Sequence, residues 1–307
     1  MTKMSKKIIF FGNERLATGV TTKNPVLNAL VSNGYEIEHI ILNQDAYSSR
    51  KNKIQETEVL AQQHNIACHK PTSNLEIKSI IENSQSDIAV LVAYGKLIPQ
   101  DIIDLFKLGI INLHPSLLPK KRGPTPIEQT ILDGDTYTGV SIMRLTKGMD
   151  DGPLYDQKMI SISGNESKQE LCSLLGDLGA NIIIDVLPAI IGGKIDPRVQ
   201  NEADKSITKL IDKSHGKINW HESGIQIERK LRAYSLWPRS FADIAGKRAI
   251  ITDVRLADHS TLSPGTMISD TKKLIISSMD RNVEILRLIP ENKQEMSGED
   301  FMLGYKK

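Results

Sequence analysis

The chain has 307 residues, of which 39% are hydrophobic and 25% are charged. This composition excludes an intrinsically disordered chain and is typical of a soluble globular protein. The length is sufficient for two domains. We find no apolar run long enough to span a bilayer, so we expect no membrane association.

The N-terminus is basic over residues 1–7 and then apolar over residues 8–11. The apolar run is too short for the core of a signal peptide, so we interpret it as a first buried strand and expect a cytoplasmic protein. Cys68 and Cys172 lie far apart and lack metal-ligand spacing. We therefore expect reduced structural thiols, with neither a disulfide framework nor a metal site.

Short apolar or β-branched runs alternate with helical patterns over the first two-thirds of the chain. The predicted strands are residues 7–11, 37–41, 88–92 and 110–114, and the predicted helices are residues 24–33, 56–65 and 74–83. The run 88–92 is apolar throughout, as expected for a strand covered on both faces. The alternation predicts an α/β fold, with a Rossmann-like, mostly parallel sheet and helices on both faces.

Two helix starts carry capping signals. Thr125 precedes Glu128 by three residues, and Ser167 precedes Glu170 by the same spacing. Both pairs predict capping boxes. The second pair opens a long helix with apolar residues at helical spacing, which we expect to end at residues 192–193, where two glycines follow each other.

A change in sequence style follows residue 193. Residues 194–209 are polar and contain Pro197, which predicts a linker. Beyond it we predict a helix at 224–234 and strands at 241–244, 248–255, 265–269, 273–277 and 282–289. Short strands punctuated by Gly, Asp and Pro predict a small OB-like β-barrel. The expected domains are a catalytic domain at 1–193 and a barrel at 210–307, joined by the linker.

The net charge of +2 is unevenly distributed. From Lys205 to the end there are 18 Lys and Arg residues against 13 Asp and Glu residues, an excess of +5. A basic C-terminal third is compatible with binding to a polyanion. The signal is weak by itself, because solvated lysine-rich surfaces are common.

The most informative polar pair lies at the end of a predicted strand. Asn112 and His114 are two residues apart, so their side chains share one face of the sheet. Ligands bind at the carboxyl ends of strands in open α/β sheets. An isolated Asn-x-His would more often be a structural strand end. A second loop, residues 148–152, carries Asp150 and Asp151 between two glycines, which an ordinary turn would also explain.

These segments together resemble the folate-dependent formyltransferases. The resemblance rests on Asn112-Leu113-His114, on Ser-Leu-Leu-Pro-Lys-Lys-Arg-Gly at 116–123, and on residues 139–143 and 148–152, all in the family order. It implies a Rossmann-like fold, 10-formyltetrahydrofolate as the formyl donor, and catalytic roles for Asn112, His114 and Asp150. In such chemistry an amide and an imidazole stabilise an oxyanion while a carboxylate orients the imidazole.

The family likeness also implies binding residues. The folate-binding segment corresponds to Ser116, Leu117, Leu118 and Pro119, and the backbone edge that holds the pterin corresponds to Val92, Ala93, Tyr94 and Gly95. Residues 217–220, 227–234, 237–238 and 263–266 extend the likeness over the full length, to the branch that formylates methionyl initiator tRNA. We therefore expect that tRNA as acceptor, a monomer, and tRNA contacts from Arg50, Lys51, Lys53, Lys120, Lys121 and Arg122.

The sequence departs from the family pattern in places. The first loop reads Phe-Gly-Asn-Glu-Arg at 11–15, where Gly-Thr-Pro is usual, and the basic loop at 48–53 is short. His114-Pro115 is similar to glycinamide ribonucleotide formyltransferases, but those enzymes usually lack a second domain. A sugar-nucleotide formyltransferase is a nearer alternative, because it shares the motifs and a related barrel. An NAD-dependent oxidoreductase is disfavoured, since Gly-x-Gly-x-x-Gly is missing after the first strand. A non-catalytic RNA-binding protein would leave Asn112, His114 and Asp150 unexplained.

Overall fold

The computed structural model describes residues 6–43, 54–268 and 272–305. The chain divides into two compact units. The first comprises residues 1–127, 136–163 and 169–209, and the second comprises residues 128–135, 164–168 and 210–307. Two short stretches from the first two-thirds of the chain thus belong with the C-terminal residues.

The first unit is a seven-stranded sheet with its helices. The strands are β1 (Lys7–Phe11), β2 (Glu36–Ile41), β3 (Ala67–His69), β4 (Ile88–Val92), β5 (Gly109–His114), β6 (Tyr137–Arg144) and β7 (Leu154–Ser161). The helices that begin in this part of the chain are α1 (Pro25–Ser32), α2 (Glu56–Gln63), α3 (Asn74–Glu82), α4 (Gln100–Ile103), α5 (Pro126–Asp133) and α6 (Lys168–Ile191).

The strand order is β3-β2-β1-β4-β5-β6-β7. The first five strands are parallel. Strand β6 is antiparallel to β5, and β7 is antiparallel to β6. Right-handed crossovers place α1 and α2 on one face of the parallel part and α3 and α4 on the other. All five residues of β4 and all six of β5 are buried, as strands covered on both faces must be. The predicted Rossmann-like α/β class is confirmed.

Helix α6 corrects one expectation from the sequence. Its 24 residues are long and apolar enough to cross a membrane by length and composition, so the chain does contain such a run. However, 56% of its most apolar window is buried inside the protein. Leu175, Ile183 and Leu187 have no exposed surface. Burial of this extent is typical of the core helix of a soluble protein.

The second unit contains an antiparallel half-barrel sheet. Its strands are β8 (Phe241–Ile244), β9 (Lys247–His259), β10 (Met267–Ile268), β11 (Ile275–Ser277), β12 (Arg281–Pro290) and β13 (Met296–Ser297), and its helices include α7 (Gly224–Ala233) and α8 (Gly298–Tyr305). The order is β10-β11-β12-β9-β8, with β13 also paired to β12. Its core is apolar and includes Ile227, Ile251, Leu288 and Phe301. The predicted small β-barrel after the first domain is confirmed as an antiparallel half-barrel.

A buried ion pair lies in the second unit. Glu128 is 2% exposed and Lys168 is fully buried, and their charged groups are 3.5 Å apart. Lys168 Nζ also donates to the carbonyl of Trp237 at 2.8 Å. Burial raises the pKa of Glu128, and the nearby ammonium partly offsets that effect. Glu128, expected to serve a capping box, thus faces a lysine on a different helix.

Candidate active site

Asn112 and His114 end strand β5 and share one face of the sheet. Each is only 5% exposed. Among the residues that the structure describes, none hydrogen-bonds to the side-chain amide of Asn112. Asn112 is therefore free to donate to a bound molecule at the end of β5.

The ring of His114 is oriented by a backbone contact. Its Nε2 lies 2.9 Å from the carbonyl oxygen of Lys121. A carbonyl oxygen only accepts, so Nε2 carries the hydrogen in this contact. The other ring nitrogen, Nδ1, is left to exchange a proton, and it lies 3.6 Å from Oδ2 of Asp150. That separation is an ion-pair distance rather than a hydrogen bond.

The loop after β6 presents one of its two carboxylates to the imidazole. Asp150 adopts a left-handed backbone with φ +50°, and its Oδ2 accepts a hydrogen bond from the backbone N–H of Gly123 at 2.8 Å. The neighbouring Asp151 instead accepts from the hydroxyl of Thr146. The structure thus brings Asp150 to His114 and gives Asp151 a partner within its own loop.

The segment predicted to bind folate, residues 116–119, is fixed in shape by hydrogen bonds. Ser116 Oγ donates to the carbonyl of Lys120 at 2.7 Å. Ser141 on β6 donates to the Ser116 carbonyl at 2.6 Å and accepts from the Leu118 N–H at 3.0 Å. The amide of Gln157 on β7 donates to the Leu118 carbonyl at 2.8 Å. The loop is therefore anchored on the two antiparallel strands.

The predicted pterin edge, residues 92–95, has an unusual backbone. Ala93 has φ +53° and Gly95 has φ +77°. Gly12, at the end of β1, approaches so closely that a Cβ there would lie 1.9 Å from the Val92 carbonyl oxygen. Tyr94 is buried and packs edge-on against a phenylalanine of β1. The positive φ values turn this backbone, and its Val92 carbonyl accepts from the Glu14 N–H at 3.3 Å.

The residues predicted to contact tRNA differ in their exposure. Arg50, Lys51 and Lys53 lie outside the described residues. Lys120 is exposed, whereas Lys121 and Arg122 are 8% and 5% exposed. The Arg122 guanidinium donates to the buried amide oxygen of Gln200 and to the carboxylate of Glu202, which is exposed. Arg122 is thus occupied by acceptors of its own chain, and its burial argues against a phosphate contact.

The segment predicted as a linker, residues 194–209, packs against the catalytic loops of the first unit. Ser206 Oγ accepts from the Lys121 N–H at 2.8 Å, and the Arg122 N–H donates to the Ser206 carbonyl at 2.9 Å. Gln200, which is 5% exposed, contacts the loop of Asp150. Sequence reasoning missed these residues, because a polar segment after a helix carries no signal that separates ordered packing from a solvated connection.

The first loop, which departs from the family pattern, contains a buried carboxylate. Glu14 is 4% exposed and accepts from the backbone N–H groups of Val26 and Leu27 at 2.8 Å each, in the first turn of α1. Burial raises the pKa of Glu14 to about 7, although the two N–H groups oppose the shift. Glu14 thus accepts from two of the free N–H groups at the start of this helix.

Glu14 makes stability depend on pH. Its pKa in the folded protein, about 7, exceeds the ordinary value of 4.5, so the folded state holds the proton more tightly. The stabilisation from this tighter proton binding is complete below pH 4.5. It is lost as the pH rises to about 7, which lowers the free energy of unfolding by up to about 3 kcal/mol. We expect Glu14→Gln to remove that loss when denaturant unfolding is measured at pH 5 and pH 8. Glu82→Gln, at an exposed position, is the control. If the free energy of unfolding changed equally between pH 5 and pH 8 in Glu14→Gln and in the wild type, this assignment would be contradicted.

Sequence comparison defines the class of protein to which this fold and site belong. Residues 6–187 match the family model described as formyl transferase, and residues 210–306 match the model described as formyl transferase, C-terminal domain. The chain belongs to the formyl transferase family, as its motifs predicted.

Relatives that align over most of this chain carry a more particular name. A methionyl-tRNA formyltransferase from Chloroflexus aggregans is 32% identical over 306 residues, covering 97% of both chains. A protein of the same name from Pseudoalteromonas translucida is 32% identical over 286 residues, covering 91% of this chain and 89% of its own. These relatives confirm the predicted likeness to the methionyl-tRNA branch.

Solved structures share the fold at lower identity. The N-formyltransferase from Helicobacter canadensis, in complex with folinic acid and dTDP-3-aminofucose, has a TM-score of 0.68 at 19% identity, covering 95% of this chain and 100% of its own. HypX from Aquifex aeolicus, in complex with tetrahydrofolic acid, has a TM-score of 0.67 at 14% identity. That alignment covers 98% of this chain, which spans 47% of the HypX chain.

Proposed function

We propose that the protein transfers the formyl group of 10-formyltetrahydrofolate to the α-amino group of methionyl initiator tRNA, as a cytoplasmic monomer that supports translation initiation. One observation carries the proposal: Nδ1 of His114 lies 3.6 Å from the Asp150 carboxylate at the end of β5, where Asn112 shares the same face. The full-length relatives named for methionyl-tRNA support the acceptor.

The catalytic roles follow from this arrangement. The methionyl amine attacks the formyl carbon, a C–N bond forms, and the formyl oxygen becomes an oxyanion. Asn112 and the protonated Nδ1 of His114 donate to that oxyanion. Asp150 stabilises the charged imidazole and accepts the proton that the amine releases. The oxyanion then re-forms the C=O bond as the bond to folate N10 breaks, and N10 takes the proton held by Asp150, which yields formylmethionyl-tRNA and tetrahydrofolate.

The binding assignments are part of the same proposal. Residues 92–95 hold the pterin through main-chain groups, and residues 116–119 line the folate. The C-terminal domain, residues 210–307, binds the tRNA backbone, and its basic balance supports this role because neutralised phosphates supply most nonspecific affinity. Lys120 is exposed near the folate segment and joins the loop at residues 50–53 as a candidate tRNA contact.

A sugar-nucleotide acceptor is the second candidate. The fold shared with the Helicobacter canadensis enzyme, in complex with dTDP-3-aminofucose, favours it. The identity is 19% in that case and 32% with the methionyl-tRNA formyltransferases. The higher identity over the full length favours tRNA as the acceptor.

A transfer assay with matched acceptors tests the proposal. The full-length protein receives 10-formyltetrahydrofolate and either methionyl initiator tRNA or a dTDP-linked amino sugar, and the formylated amine is measured by mass spectrometry. We expect kcat/KM for the tRNA to exceed that for the sugar by more than about 10²-fold, the discrimination that a site built for one acceptor can reach. Formylation of the amino sugar alone would overturn the assignment of the acceptor.

A further inference from the structure

The side chain of Gln200 joins two loops of the site. Its Oε1 accepts two hydrogen bonds from Arg122, from Nε at 3.0 Å and from a terminal nitrogen at 2.8 Å. Its Nε2 donates to the carbonyls of Asp150 at 2.8 Å and Gly152 at 2.7 Å. A guanidinium only donates and a carbonyl only accepts, so the amide fits in a single orientation. All of its hydrogen-bonding capacity is used inside the protein.

The geometry of Asp150 requires support from outside its own loop. A left-handed backbone at a non-glycine residue is less favourable than an ordinary one and is stabilised when neighbouring groups hold it. Gln200 holds the carbonyl of Asp150, and the N–H of Gly123 holds its carboxylate. Gly123 directly follows Arg122, which Gln200 also binds. Gln200 therefore fixes Asp150 and the segment that orients its carboxylate relative to each other.

We propose that Gln200 is a positioning residue for formyl transfer. It acts through Asp150, which it keeps within 3.6 Å of His114 Nδ1. Arg122 orients the amide, so this buried arginine serves catalysis through Gln200. The proposal rests on the proposed function, since it assigns Asp150 a part in the reaction. Loss of the two Gln200 donors leaves the buried carbonyl of Gly152 and the half-buried carbonyl of Asp150 unpaired and releases the loop.

Gln200→Glu is the most informative variant. The new carboxylate still accepts from Arg122 but faces the carbonyls of Asp150 and Gly152 without a hydrogen to donate. We expect kcat to fall by about 10–100-fold, because a displacement of about 1 Å at a reacting group costs on the order of 10²-fold. KM for both substrates should stay within about threefold. The Gly123 amide should also lose protection from hydrogen exchange, since its acceptor on Asp150 moves.

Gln169→Glu is the matched control. The Gln169 amide also donates to a backbone carbonyl and accepts from a backbone N–H, both of Thr21, but at an exposed position. We expect its kcat to stay within about twofold of wild type. Gln200→Met removes the two donors without adding a charge, so its kcat should fall as much as that of Gln200→Glu. If Gln200→Glu does not fold, Gln200→Met tests the proposal in its place.

A double-mutant cycle separates positioning from general stability. In an Asp150→Asn background, Gln200→Glu should lower kcat by less than about twofold, because the group that it positions is already impaired. The proposal would be overturned if Gln200→Glu caused its full loss of kcat in the Asp150→Asn background as well. It would also be overturned if Gln200→Glu and Gln200→Met had the same kcat as the control Gln169→Glu. Failure of the proposed function would give a different result from failure of this positioning role, because the wild-type protein itself would then transfer no formyl group to methionyl initiator tRNA.

Discussion

Replacing His114 with alanine is expected to lower kcat for formyl transfer by about 10²–10⁴-fold, the scale for losing oxyanion stabilisation and proton transfer together. The imidazole is buried at the end of β5, its Nε2 is tied to the Lys121 carbonyl, and its Nδ1 faces Asp150. Another side chain would not reproduce this arrangement, because both ring nitrogens of His114 point in fixed directions. Single-turnover transfer with saturating tRNA and folate measures the chemical step directly.

His64→Ala is the control for this loss. His64 is exposed at the end of α2, so its removal tests the substitution without touching the site. Its single-turnover rate should match that of wild type. A His114→Ala protein that folds and retains nearly full turnover would remove His114 from the chemistry.

Replacing Asp150 with asparagine is expected to lower kcat by about 10²-fold, with KM nearly unchanged. The asparagine oxygen can still accept from the Gly123 N–H, so the loop keeps its main anchor. What the variant loses is the negative charge beside the imidazole, which stabilises the cationic ring during transfer. Steady-state kinetics over a range of tRNA and folate concentrations separates kcat from KM.

Asp151→Asn provides the internal comparison for Asp150. The two carboxylates are adjacent in the sequence, but Asp151 is paired with Thr146. We expect its kcat to remain within a few-fold of wild type. Equal losses in the two variants would mean that the loop needs its charge for shape, and the catalytic role of Asp150 would be wrong.

Much of the sheet could be predicted from local patterns. The bounds of β1 and β4 match the prediction, because continuous apolar runs leave little choice of strand ends. The two antiparallel strands β6 and β7 were not predicted. Strand β7 alternates weakly, with Gln157 and Lys158 in its middle. Strand β6 contains Gly139, whose missing Cβ makes room for Leu117 and for the backbone of β7. This glycine lowers the strand propensity of the β6 sequence, and tertiary packing stabilises the strand nonetheless.

The site was predictable only in part, and the limits are physical. The two-residue period of a strand places Asn112 and His114 on one face. No local rule brings Asp150 to His114 across an intervening strand and loop. Gln200 lay in a polar segment that sequence patterns interpret as solvated. The positive charge of Arg122 indicated a tRNA contact. In the structure the buried Arg122 instead hydrogen-bonds to Gln200 and Glu202 of the same chain.

A crystal structure of the full chain with a non-transferable 10-formyl folate analogue tests the central claim most directly. We expect the formyl oxygen within about 3.2 Å of the Asn112 amide nitrogen, and His114 Nδ1 within similar reach of the oxygen or its attacking partner. The Asp150 carboxylate should remain beside the ring. A formyl group bound away from the end of β5, with Asn112 and His114 out of reach, would contradict this catalytic arrangement.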